Sequence, residues 1–257
     1  MSRASYTIRG VARVRDIARS ALTWAGFAGV VLVGVPPMIL GYPLVLLDPN
    51  RAISDWYFRR IARVLMGVNP FWKVHVEGKQ ILGRGSPYVL VVNHQSFADL
   101  MAMCFLDHPT KYLGKESVFK VPVFGWALRI AGEVPVVRGD RRSGAEALQQ
   151  LGDWLERGVS VALFPEGTRS DDGSIGRFKL GAFKLAIEHQ RPIVPVVIAG
   201  ARQLLPKHSV VFQKEADIRV RVLEPESTAH LGERDTLDLA ERVRARMVAA
   251  LTEMEAR

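Results

Sequence analysis

His94 and Asp99 stand five positions apart in Asn93-His94-Gln95-Ser96-Phe97-Ala98-Asp99, directly after an apolar run ending at Val92. An imidazole and a carboxylate together make a general base: the carboxylate fixes the tautomer and stabilises the imidazolium, while the imidazole takes the proton. In one continuous α-helix five residues turn through roughly 500°, which would send the two side chains to different faces. They meet only if the histidine lies on the turn before a helix and the aspartate on its first turn. The same residues have a plainer reading. Ser96-Phe97-Ala98-Asp99 has capping-box spacing ahead of the apolar run 100–106, so Asp99 could serve only to start a helix. From this stretch alone both readings stand.

The elements that would position such a pair can be read from periodicity. Residues 72–77 alternate apolar and polar and predict an edge or half-exposed strand, with His75 on its polar side as a surface residue. Continuous apolar runs at 88–92, 134–137, 159–164 and 193–198 predict strands buried on both faces. Between and after them, residues 100–106, 143–157, 178–189 and 237–254 show helical spacing, and 209–222 reads as an antiparallel pair. This alternation predicts an α/β fold: a mostly parallel mixed sheet flanked by helices. In such sheets the ligand crevice lies beyond the carboxyl ends of the strands. That rule gathers His94 after 88–92, Glu166-Gly167-Thr168-Arg169-Ser170 after 159–164, and Arg138 after 134–137. The segment 111–115, read as a loop, adds Lys111 and Lys115. A histidine base beside arginines and lysines suits an anionic substrate bearing a hydroxyl, because guanidinium forks onto phosphate and lysine supplies a point charge.

Other chemistries find less support. The chain has neither a Walker A nor a Gly-x-Gly-x-x-Gly sequence, and no His-Glu-x-x-His to bind zinc. Ser96 lacks the Gly-x-Ser-x-Gly elbow of a serine nucleophile. We therefore expect no metal and no other cofactor. The formal charge of +9 implies anionic partners, but the five tryptophans and five tyrosines do not interleave with basic runs, so nucleic acid is not expected. A single cysteine, Cys104, excludes an intrachain disulfide and reads as a buried structural thiol.

The first quarter of the chain has a different character. Arg3, Arg9, Arg13, Arg15 and Arg19 precede residues 20–47, which carry no charge, and Arg51, Arg59, Arg60 and Arg63 follow. Pro36-Pro37 should break a helix there. The piece 20–35 then spans about 24 Å, short of the roughly 30 Å hydrocarbon core. Basic flanks on both sides place both ends at the cytoplasmic face. The expectation is a membrane-embedded two-helix motif dipping into one leaflet, with arginines on anionic headgroups and Ala21, Ala25 and Gly29 at the helix contact. A buried hairpin of a soluble protein is the alternative. Residues 1–67 would form this part, and 68–257 the α/β domain.

One resemblance ties these readings together. His94-x4-Asp99, followed about 65 residues on by Phe164-Pro165-Glu166-Gly167-Thr168-Arg169-Ser170, resembles the glycerophospholipid acyltransferase family, specifically the 1-acylglycerol-3-phosphate acyltransferases. Gly132-Glu133-Val134-Pro135-Val136-Val137-Arg138, Ile193-Val194-Pro195-Val196 and the Lys115-Glu116…Pro122…Gly125 segment are similar to further family blocks, in order. The family commonly has an aromatic or isoleucine before the arginine of its second block, where this chain has Val137. The resemblance covers roughly residues 70–225. It implies acyl transfer from acyl-CoA or acyl carrier protein to the sn-2 hydroxyl of a membrane lysophospholipid, 1-acylglycerol-3-phosphate, with no acyl-enzyme. His94 and Asp99 would be catalytic, Glu166, Gly167 and Thr168 would shape the acceptor site, and Lys115, Arg138 and Arg169 would hold its phosphate. A different lysolipid acceptor, such as a lyso-ornithine lipid, or a non-catalytic lipid-binding role are the competing expectations.

Overall fold

Runs in which every residue is buried make strands covered on both faces, and three of them build the centre of the sheet. The computed structural model describes residues 3–83, 87–205 and 209–256, with 3–13 as backbone alone. Its strands are β1 (Trp72–Glu77), β2 (Val89–Val92), β3 (Thr110–Lys115), β4 (Val134–Val136), β5 (Ser160–Leu163), β6 (Ile193–Ala199) and β7 (Ala216–Val222). They form one sheet in the order β1-β7-β6-β2-β5-β3-β4. All pairings are parallel except β6 with β7, so β1 and β7 run against the rest. The mostly parallel mixed sheet expected from the sequence is present, with β1 at its edge and β2, β5 and β6 wholly buried.

The helices are α1 (Arg3–Leu40), α2 (Tyr42–Val45), α3 (Ala52–Gly67), α4 (Ala98–Met103), α5 (Glu116–Phe119), α6 (Phe124–Ala131), α7 (Arg141–Glu156), α8 (Gly181–Glu188), α9 (Ala201–Leu204) and α10 (Thr236–Glu255). Alternation along β2 divides the core in two. Leu90 and Val92 face a layer with Phe27, Val35, Ile61 and Leu65 from α1 and α3. Val89 and Val91 face Leu151, Leu155, Phe183 and Val243 from α7, α8 and α10.

Four local expectations are corrected. Pro36 and Pro37 do not break the first helix: α1 runs on to Leu40. Neither proline has an N–H to give to Leu32 or Val33, and those two residues are exposed, so the deprived carbonyls lie on the outer side. Second, Ala21, Ala25 and Gly29 face outward; the close approach of α1 to α3 uses Gly26, against Val68, and Gly34, against Ile61. Third, residues 111–115 are not a loop but strand β3, and Lys111 is fully buried. Fourth, 209–222 holds one strand: β7 begins at Ala216, while Phe212 packs with Trp24, Phe27 and Trp72.

The arginines after the apolar run also depart from expectation. Arg59 is buried and paired with Asp55; Arg63 donates to Cys104 O at 2.9–3.0 Å and pairs with Asp107; Arg51 donates to Arg129 O and Ile130 O at 2.7 and 3.0 Å. They fasten α3 to α6 and to the 104–108 segment rather than pointing to headgroups; Arg60 alone of the four lies exposed, over Trp56. Val14–Leu40 is long and apolar enough to cross a bilayer by length and composition, a test that the core helix of a soluble protein also passes.

Candidate active site

Four parallel strands end at one edge, and their following residues meet there. Asn93 holds the turn after β2 in place: its amide donates to Ile198 O at 2.9 Å and accepts from Ile198 N at 2.7 Å, which locks it to β6. His94 comes next, outside the sheet. Its Nδ1 is 2.7 Å from Asp99 Oδ2, in the first turn of α4. The same oxygen accepts from Gln95 N and Ser96 N at 2.7 and 2.8 Å. The two readings of Asp99 therefore coexist: one carboxylate oxygen restrains the amides leading into the helix and also holds the imidazole. Ser96 Oγ, by contrast, sits 3.4 Å from Ala98 N and 3.2 Å from Leu205 O, so the reciprocal half of a capping box is not made.

This geometry dictates a tautomer. An ionised carboxylate only accepts, so Nδ1 carries the hydrogen and Nε2 keeps the basic lone pair. Asp99 is wholly buried and the imidazole retains 10% of its surface, so an incoming group can reach the histidine but not the aspartate. Phe164, immediately after β5, covers one ring face with centroids 4.4 Å apart.

Glu166 is a tie rather than an exposed ligand. Its Oε1 accepts from His94 N at 2.9 Å and its Oε2 from Gly176 N at 3.1 Å. Burial raises its pKa, and the two amide hydrogen bonds pull the other way. Ser170 N donates to His94 O at 2.8 Å, and Gln95 Nε2 to Gly173 O at 3.2 Å, so the 164–176 segment is strapped across the His94 turn. Gly167 has φ +72°, the left-handed region, which its missing side chain permits. A Cβ there would lie 2.6 Å from Lys179 Nζ. Lys179 is thus a cation at the motif that the sequence reading missed; the signal was the basic pair Arg177 and Lys179 just beyond the motif.

Lys115 and Arg138 are exposed at the same edge, at the end of β3 and just after β4. With strands spaced about 4.8 Å, β3 lies about 10 Å and β4 about 14 Å across the sheet from β2. Arg138 is held below the usual arginine range by partial burial and by the positive charge of Arg169, so the two guanidiniums share one neighbourhood. Thr168 is exposed beside them. Among the described residues no group of three or more His, Cys, Asp or Glu is arranged to hold a metal ion.

Comparisons with known proteins follow the same outline. The fold is that of PlsC, the 1-acyl-sn-glycerophosphate acyltransferase from Thermotoga maritima: TM-score 0.78, 24% identity, 94% of this chain and 98% of that one. A family model described as Acyltransferase matches residues 73–199. The 1-acyl-sn-glycerol-3-phosphate acyltransferase of Saccharomyces cerevisiae is 31% identical over 244 residues, 92% of this chain and 77% of the yeast protein. The chloroplastic enzyme BAT2 of Brassica napus is 36% identical over 202 residues, 78% of this chain. The chain belongs to the 1-acyl-sn-glycerol-3-phosphate acyltransferase family. It spans 58% of the length of the Brassica napus relative and 56% of the Arabidopsis thaliana one.

Proposed function

We propose that this chain transfers a fatty acyl group from a thioester donor, acyl-CoA or acyl carrier protein, to the sn-2 hydroxyl of 1-acylglycerol-3-phosphate, giving phosphatidic acid. The observation that carries the reading is the His94–Asp99 pair, which leaves Nε2 as the basic nitrogen, at the carboxyl edge of the sheet where Arg138 and Arg169 also lie. His94 Nε2 removes the proton from the acceptor hydroxyl, and Asp99 stabilises the imidazolium that forms. The alkoxide oxygen bonds to the thioester carbonyl carbon, the C–S bond breaks, and the thiolate takes the proton back from His94. Lys115, Arg138 and Arg169 hold the phosphate. The offset of about 10–14 Å from β2 to β3 and β4 leaves room for a glycerol backbone between phosphate and base. Glu166, Gly167 and Thr168 shape the acceptor site, Glu166 by fixing the loop rather than by touching lipid.

Residues 1–67 are the part that associates with the membrane, and 68–257 the acyltransferase domain. We place α1 and α2 in the cytoplasmic interface rather than across the bilayer. The deprived carbonyls of Leu32 and Val33 would each cost several kcal/mol in hydrocarbon, and headgroup water relieves that.

Purified protein offered 1-acylglycerol-3-phosphate with acyl-CoA and acyl carrier protein in turn should form phosphatidic acid with at least one donor. A panel of other acceptors, including a lyso-ornithine lipid and lysophospholipids with headgroups, should be acylated much more slowly. Faster acylation of a zwitterionic lysolipid would reject the phosphate assignment; no acylation of any acceptor would reject the enzyme reading.

A further inference from the structure

A second place in the molecule has the chemistry of a lipid site. α1, α2 and α6 leave an open crevice of about 400 Å³ lined by Ile39, Tyr42, Trp126, Ile130, Arg51 and Arg129. Its location follows from connectivity. β3 and β4 are parallel, and α6 lies between them in the chain, so its last turn returns to the amino edge of the sheet. Arg129 and Ile130 are in that turn, whereas His94 and Glu166 lie at the carboxyl edge. The two sites are at opposite edges.

The crevice walls are apolar and aromatic, and its size falls within the roughly 300–1,000 Å³ of ordinary ligand pockets. Trp126 and Tyr42 are 51% and 40% exposed, and the neighbouring Leu40, Leu44 and Leu47 are more exposed still. Tryptophan and tyrosine favour the headgroup level of a bilayer. Two guanidiniums stand at this apolar opening. Each is anchored through Nη1: Arg51 to the α6 carbonyls, Arg129 to Phe119 O at 2.6 Å. Neither has a carboxylate partner among the described residues. An apolar slot carrying two uncompensated forks of N–H donors fits an amphiphile with a phosphate head. The slot is continuous with exposed leucines, which favours a bilayer lipid over free phosphate.

We propose that this crevice binds one anionic phospholipid of the membrane, with its phosphate on Arg51 and Arg129 and one acyl chain along Ile39, Trp126 and Ile130. The site would fasten the amino edge of the sheet to the bilayer while the carboxyl edge works on substrate. The proposal rests on the membrane-interface reading of α1 and α2.

The test uses the full chain in neutral detergent and phosphatidylglycerol with short brominated acyl chains, kept below its micelle-forming concentration. Bromine quenches tryptophan only at close range. The expected result is saturable quenching, most of it lost in Trp126→Phe, and an affinity at least about tenfold weaker in Arg129→Gln. Brominated phosphatidylcholine should quench weakly, and His94→Ala should be quenched as the wild type is. Arg51→Gln is avoided as the main variant because Arg51 also caps α6. Equal quenching by phosphatidylcholine, or undiminished quenching in Trp126→Phe, would overturn the proposal. Sedimentation with vesicles separates it from the reading beneath it. Wild-type protein that sediments with phosphatidylglycerol vesicles yet shows no quenching loses only the crevice, whereas protein that does neither loses both.

Discussion

Asp99 Oδ2 accepts from an imidazole and two backbone amides, so at the residue scale one oxygen serves both the base and the turn that carries it. Asp99→Asn keeps the shape but disturbs the tautomer of His94, and kcat should fall on the order of 10³–10⁴-fold with little change in acceptor KM. Steady-state kinetics on the purified variant reads this; an unchanged kcat would leave Asp99 as a helix cap only. Glu166→Gln turns an amide NH2 toward a backbone N–H, because both carboxylate oxygens accept from amides. It should destabilise by about 1–3 kcal/mol and lower kcat, readable by denaturant unfolding alongside turnover. His94, Asp99 and Glu166 were legible because their spacing is local or motif-borne. Phe164 on the imidazole face and Lys179 beside Gly167 were not, since those contacts depend on how the 164–179 segment folds back.

At the scale of elements, α3 is fastened to the amino edge by buried charge. Lys111 Nζ donates to Ala131 O at 2.7 Å, lies 3.6 Å from Asp55 Oδ1 and sits over the Trp154 ring. Burial raises the Glu133 pKa to about 8 and that of Asp55 as well, with Lys111 the main opposing charge for both. Lys111→Met should therefore cost on the order of 3 kcal/mol, measured by denaturant unfolding, because it leaves Glu133 without its main opposing charge and Asp55 with Arg59 as its remaining buried cation. This is also why β3 was misread: two lysines and a glycine look like loop until Asp55, far away in sequence, neutralises one of them. The helix break expected at Pro36-Pro37 does not occur because the orphaned carbonyls face outward, a fact set by packing and not by proline. The central strands were legible because apolar runs covered on both faces admit few other readings.

His108 belongs to the same cluster and gives it a pH dependence. Its Nε2 is 2.7 Å from Ser160 Oγ, and burial, then Arg59, lowers its pKa to about 4 from the ordinary histidine value of about 6.5. The folded state thus binds this proton less well than the unfolded chain. The contribution is present above pH 6.5 and is lost as pH falls toward 4. Between pH 7 and pH 5 the loss at this residue is about 2 kcal/mol. Unfolding free energies at the two pH values should differ by that much more in wild type than in His108→Gln; equal differences would contradict the assignment.

At the scale of the whole molecule, α1 and the α/β sheet share one apolar layer: Phe27, Val35 and Met38 are in the same cluster as Leu90 and Val196. Removing residues 1–47 would strip that layer, so membrane association is better tested on the outer face. Leu40, Leu44 and Leu47 are exposed, and replacing all three with glutamate should release the protein from vesicles with little effect on unfolding. Vesicle sedimentation unaffected by the triple change would move the contact elsewhere. The sequence could announce an apolar segment in the first quarter of the chain, but not that one side of it is inner core. The proposed chemistry depends on a histidine acting as a base on a lipid hydroxyl. The direct measurement is transfer of a labelled acyl group from its thioester to 1-acylglycerol-3-phosphate by His94→Ala beside wild type. The expected result is a loss of at least about 10³-fold in kcat, with unfolding and vesicle association unchanged and no label on the wild-type protein. Turnover near wild type in His94→Ala, or an acyl group covalently held by the enzyme, would contradict it.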